Sequence, residues 1–147
     1  MLTSYRNKLP EIIAALLILL FCYTGITKLI DHDLFKIALS QSELLSSISK
    51  PVSWTLPLLE LGLTILLVIP GTRKAGFMIA FCVLALFTLY ILYMLLFASN
   101  RPCTCGGVLK KLSWQQHIVF NVFFAALSFI GWQIERKNKR PFRNPVH

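Results

Sequence analysis

The sequence predicts an all-α membrane protein: a four-transmembrane-helix bundle with a short interfacial helix between the first and second spans. Three observations carry the prediction. The chain of 147 residues is 56% hydrophobic, whereas ordinary soluble domains are about 45–50% apolar. Only 14% of it is charged, against about 25% in a typical soluble domain. Finally, apolar runs close to the roughly 20 residues needed to cross a bilayer recur at about 11–30, 52–70, 75–99 and 113–134.

This length makes one domain. Residues 1–135 form the transmembrane unit, and 136–147 form a basic tail. The net charge of +9 does not mark a nucleic-acid partner. The basic residues sit at the ends of apolar runs, as membrane proteins place them, and no Lys/Arg stripe interleaves with aromatics. The partner that composition demands is the lipid bilayer.

The first run, Glu11 to Ile30, follows Arg6 and Lys8, and Pro10 suits a first helical turn. The start is basic, but no small-residue cleavage site follows. Bulky Phe21 precedes Cys22 where a lipoprotein box requires a small residue. A retained helix is therefore expected, with Lys28 snorkelling at its far end, steering an acidic partner, or pairing with Glu60. Leu34, Ile37, Ala38, Leu44, Leu45 and Ile48 give the connector from Asp31 to Lys50 an imperfect apolar face, as for a helix lying on the membrane. Its end is placed at the serines before Pro51. The second run carries Glu60 near its middle and closes at the basic turn Gly71-Thr72-Arg73-Lys74. The third run, Ala75 to Ser99, has no charged residue. The fourth opens at Ser113, where Ser113 and Gln116 fit a capping box. Tyr90, Tyr93, Trp54 and Trp114 read as interface aromatics. The tail Glu135-Arg136-Lys137-Asn138-Lys139-Arg140 is expected to be solvated.

Four spans put both termini on one side. Nine basic residues fall there, against six on the other side. The positive-inside rule then places both termini in the cytoplasm. In a bacterial inner membrane the loop between the third and fourth spans faces the periplasm, where disulfides form and persist.

That loop contains Pro102-Cys103-Thr104-Cys105-Gly106-Gly107. Two thiols this close can join only if the backbone bends, and the resulting bond belongs to the labile or catalytic kind. The two glycines supply the freedom to bend. Arg101, Lys110, Lys111 and the nearby helix start favour thiolate, the species that attacks a disulfide. Thiol–disulfide exchange, metal binding and an inert structural pair all remain open. Metal is the poorest of these, because structural zinc requires four ligands. Cys22 and Cys82 lie inside apolar runs and read as small buried hydrophobes.

His117, Asn121 and Ser128 lie along one face of the fourth helix. A polar stripe there should face protein rather than lipid. His117 either moves protons for the cysteines or fixes helix packing. Glu60 lies roughly 14 Å from the outer end of its helix and Asn121 roughly 12 Å, with Thr24 at similar depth, so the three can meet. An ionisable group at mid-membrane marks a candidate site.

Several blocks resemble the MauE/DoxX-type redox-associated membrane proteins, MauE-like members above all. They are Thr24-Gly25-Ile26-Thr27-Lys28-Leu29, Pro57-Leu58-Leu59-Glu60-Leu61, Phe87-Thr88-Leu89-Tyr90, the Cys103–Cys105 block, Leu112-Ser113-Trp114, and His117 to Asn121. The resemblance spans roughly residues 10–134, and the cysteine block is its most specific part. It implies a four-helix bundle and a role in thiol redox or maturation of exported proteins. The methylamine-utilisation member is associated with maturation of a periplasmic, disulfide-rich dehydrogenase subunit.

The expected function is membrane-embedded thiol–disulfide redox. Cys103 and Cys105 would exchange with a periplasmic thioredoxin-like or cysteine-rich partner. Electrons would pass to or from a quinone or a further thiol carrier, for which no binding residue is assigned. His117 would assist the thiols, with Lys28, Glu60 and Asn121 as supporting polar groups. Two other readings stand beside it. One is a non-catalytic assembly or scaffold subunit whose cysteines only staple a loop. The other is a solute or proton transporter built on Glu60, Asn121 and His117.

Overall fold

The computed structural model describes residues 2–42, 44–97 and 114–138. Cys103, Cys105, their basic neighbours, Ser113 and the tail beyond Asn138 lie outside the described residues. The elements are α1 (Leu2–Ile30), α2 (His32–Ser40), a 3₁₀ turn (Ser46–Ile48), α3 (Ser49–Val68), α4 (Arg73–Phe97) and α5 (Trp114–Asn138). No strand occurs among the described residues. Four helices are long and apolar enough to cross a membrane, with α2 between the first two.

Each long helix packs on the next, and α5 returns to α1, closing a bundle. The stripes that meet inside follow helical spacing. On α3 the buried positions are Ser49, Ser53, Pro57, Glu60, Leu63 and Leu67. On α5 they include His117, Asn121, Ala125, Ser128 and Gly131. The polar stripe foreseen on the last helix therefore does face protein. The outward faces are apolar instead of charged: Leu19 is 70% exposed, Leu86 67% and Val119 70%. Apolar cover of this extent belongs against lipid.

The half of the bundle away from α2 is filled. Ile13, Leu17, Phe21, Leu63, Leu67 and Phe77 form its core. At this end Thr72 Oγ1 donates to the Leu66 carbonyl at 2.9 Å and Arg73 Nε donates to that of Leu67 at 3.2 Å. These side chains satisfy carbonyls that the end of α3 leaves without helical partners. Arg73 also faces Glu135, Nη1 to Oε1 3.9 Å.

Several boundaries differ from the sequence expectation. Pro10 lies inside α1 and does not open it. A proline there removes one backbone donor, and the remaining turns carry the helix past it. Pro51 belongs to the first turn of α3, while the connector helix already ends at Ser40. Helix α5 continues through Arg136 and Lys137 to Asn138, where basic residues complement the negative helix end. Arg136 also stacks over Trp132 at 5.3 Å. Cys82 is exposed and Cys22 half-buried, because both fall off the inward stripes. Neither is the buried hydrophobe that their apolar runs implied.

The connector has a second, inward face. Phe35 and Leu39 are buried, whereas Leu34, Ile37, Leu44 and Ile48, part of the apolar face expected to lie on the membrane, are exposed. Asp31 continues the α1 ladder (N to Thr27 O, 2.9 Å) and starts that of α2, with Phe35 N at 2.9 Å from its carbonyl. This near-continuous path rotates Phe35 and Leu39 inward. Past α2, Ser42 is fully buried and accepts a hydrogen bond from Tyr90 Oη at 2.8 Å. That bond ties the connector to α4. Tyr90 is therefore an internal strut, not an interface aromatic.

Candidate functional site

The half of the bundle near α2 is hollow and polar at its centre. Lys28 on α1 forms a buried ion pair with Glu60 on α3. Helix geometry explains the meeting. Side chains lean toward the N-terminus of their own helix, and α1 and α3 run antiparallel. Lys28 therefore leans down into the bundle while Glu60 leans up toward α2. Gly25 allows the approach. A Cβ there would stand 3.2 Å from the Leu61 side chain and 3.3 Å from the Pro57 carbonyl oxygen.

The snorkelling expectation for Lys28 gives way to its alternative, pairing with Glu60. The reason lies in register. Pro10, Ile13, Ala14, Leu17, Phe21, Gly25 and Lys28 are the buried positions among the described side chains of α1, so Lys28 continues the inward stripe and does not turn to the surface. Its ammonium lies 5.8 Å from the Phe35 ring centroid and 6.0 Å from that of Phe87. Both distances are near the outer limit of a cation–π contact.

Lys28, Glu60, His117 and Asn121 are 7%, 6%, 8% and 6% exposed. All four, with Thr24, line one cavity of about 390 Å³, a size within the roughly 300–1,000 Å³ typical of small-molecule pockets. The rest of the lining is mostly apolar, with Phe21, Phe35, Phe87, Tyr90 and Phe120 supplying rings from four helices. Two polar atoms on this lining have no hydrogen-bond partner: Glu60 Oε2 and Asn121 Nδ2. An unmet buried donor or acceptor costs about 1–3 kcal/mol. Among the described residues no group of three His, Cys, Asp or Glu side chains is placed to hold a metal ion.

The sequence residues Lys28, Glu60, Asn121 and His117 are thus brought together. Cys103 and Cys105 belong to the segment joining α4 to α5, whose described ends, Phe97 and Trp114, both lie at the α2 end of the bundle. Sequence reasoning did not place Phe35 or Phe87 at the site, although Phe87 stands in one of the blocks that carry the family resemblance. Phe87 falls on the inward spacing of Phe77, Ala80, Leu84, Ile91 and Met94, but a helix apolar on every side does not announce its inner face.

A buried ion pair gathered with an imidazole and an amide around an apolar cavity, inside four spanning helices, defines a small multi-pass membrane protein with an internal polar site. The family follows from comparison. Residues 6–134 match the family model of Methylamine utilisation protein MauE, and the chain belongs to that family. Comparison with curated proteins and with solved structures finds no match.

Proposed function

We propose that this protein is a membrane-embedded thiol–disulfide redox protein with a MauE-like role in maturing exported proteins. It sits in a bacterial inner membrane with both termini in the cytoplasm and the Cys103–Cys105 loop in the periplasm. There it exchanges disulfides with a thioredoxin-like or cysteine-rich partner. One thiolate attacks the partner disulfide and forms a mixed disulfide. The second thiol then displaces the partner sulfur, leaving a disulfide here and a dithiol there. The reverse sequence oxidises the partner.

One observation carries the reading. The buried cluster of Lys28, Glu60, His117 and Asn121 gathers in the half of the bundle whose end carries Phe97 and Trp114, the described residues that flank the cysteine segment. Structural economy does not account for it, since well-packed apolar residues often replace a buried ion pair at no cost. Ionisable groups within a membrane mark functional sites by default. His117, in the first turn of α5, is the imidazole nearest in sequence to the thiols.

The double variant Cys103→Ser, Cys105→Ser is expected to abolish complementation of a deletion strain. A single Cys105→Ser variant is expected to accumulate a mixed disulfide on a non-reducing gel. Full complementation by the double variant would leave the scaffold reading in its place.

A further inference from the structure

We propose that the cavity between α1, α3, α4 and α5 is a binding site for the ring of a membrane quinone. Four features of the site select this ligand class. The cavity is partly open and is lined from all four spanning helices, so a ligand held in it lies within the span of the bundle, where a lipid-soluble molecule fits. Its only described full charges, Lys28 and Glu60, neutralise each other, so the site does not call for an anionic or cationic headgroup. Its aromatic walls, among them Phe35, Phe87 and Phe120, present faces and edges to a flat ring.

The fourth feature is the pair of unmet polar atoms. Asn121 Nδ2 is a donor without an acceptor, and Glu60 Oε2 is an acceptor without a donor. A lipid acyl chain satisfies neither. A quinone carbonyl accepts, and the corresponding quinol hydroxyl donates, so the two oxidation states of one ligand meet the two needs. The terminal torsions of Asn and Glu are soft, which lets both groups turn to a ring entering the cavity. Asn121 is thus a binding residue for the oxidised ligand and Glu60 for the reduced one.

The redox consequence rests on the proposed thiol function, whereas the binding does not. Oxidation of the Cys103–Cys105 dithiol by the quinone breaks two S–H bonds, forms one S–S bond and forms two O–H bonds on the ring. Two electrons and two protons pass to the quinone, which leaves as quinol. The disulfide is then available to oxidise a periplasmic partner.

The test uses the full-length protein in nanodiscs of quinone-free lipid, titrated with decylubiquinone and, separately, with decylbenzene, which has ring and tail but no carbonyl. Quenching of tryptophan fluorescence, corrected with empty discs, reports binding. Saturable binding of decylubiquinone is expected, with decylbenzene markedly weaker. Asn121→Leu is expected to weaken quinone binding about fivefold to tenfold, the loss of one hydrogen bond. Ala38→Phe, which fills the cavity from α2, is expected to abolish it; circular dichroism checks that both variants keep their helices. The Cys103→Ser, Cys105→Ser variant is expected to bind like the native protein, so failure of the thiol reading leaves this result standing. The proposal is overturned by absence of saturable binding, by equal binding of decylbenzene, by unchanged binding in Asn121→Leu, or by loss of binding in the double serine variant.

Discussion

Lys28→Met is expected to destabilise the bundle by about 3–5 kcal/mol, the usual cost of removing one member of a buried ion pair. Glu60 is almost wholly buried, and its Oε2 already has no partner. Without Lys28 its other oxygen loses its ammonium as well. Phe35 and Phe87, which flank the ammonium, offer a carboxyl group nothing in exchange. Glu60→Leu alone should cost a similar amount, because it strands the ammonium. The double variant Lys28→Met, Glu60→Leu is expected to return close to native stability, since apolar side chains of similar volume often replace a buried pair without penalty. Denaturant unfolding in micelles of the four proteins closes a double-mutant cycle. Additive losses in the double variant would show that the two groups do not act as a pair. The same double variant separates stability from function: folded but inactive is the outcome expected of a functional cluster.

The second large effect lies at the opposite end. Gly131→Val is expected to destabilise the protein by about 2–3 kcal/mol through overpacking. A Cβ at Gly131 would stand 2.7–2.9 Å from three carbon atoms of the Phe77 ring, closer than any real contact. Phe77 is fully buried in the filled core with Leu17, Leu63 and Leu67. Because the ring is fully buried, its displacement is expected to disturb the core or to push α4 and α5 apart. Phe77→Leu shortens the obstructing side chain, so the double variant Gly131→Val, Phe77→Leu is expected to recover part of the loss relative to Gly131→Val alone. Equal stability of Gly131→Val and the native protein would contradict the close approach of α4 and α5.

The architecture was legible because length and hydropathy decide it. A charge-free run such as Ala75 to Ser99 leaves few alternatives to a spanning helix, and observed α4 runs from Arg73 to Phe97. Helix ends were less legible. Pro10 suits both an opening turn and a tolerated interior position, and only the turns on either side of it decide which. The polar half of the site was readable one helix at a time. His117, Asn121 and Ser128 share a face by spacing alone, and Glu60 announces itself by its depth. What spacing could not give was the partner of each group. Lys28 near a helix end fits both snorkelling and pairing, and the choice depends on which stripe of α1 turns inward. The aromatic half was hidden for a related reason. Phe35 enters the site because the chain turns almost directly from α1 into α2 at Asp31, a geometry that the polar connector sequence does not specify.

A redox role requires that Cys103 and Cys105 face outside and change oxidation state. The most direct measurement is alkylation of intact cells with a membrane-impermeant maleimide, before and after mild reduction, in a Cys22→Ser, Cys82→Ser background. The expected result is weak labelling of Cys103 and Cys105 before reduction and strong labelling after it. No labelling after reduction, or labelling equally strong without it, would contradict an outward-facing, redox-active pair.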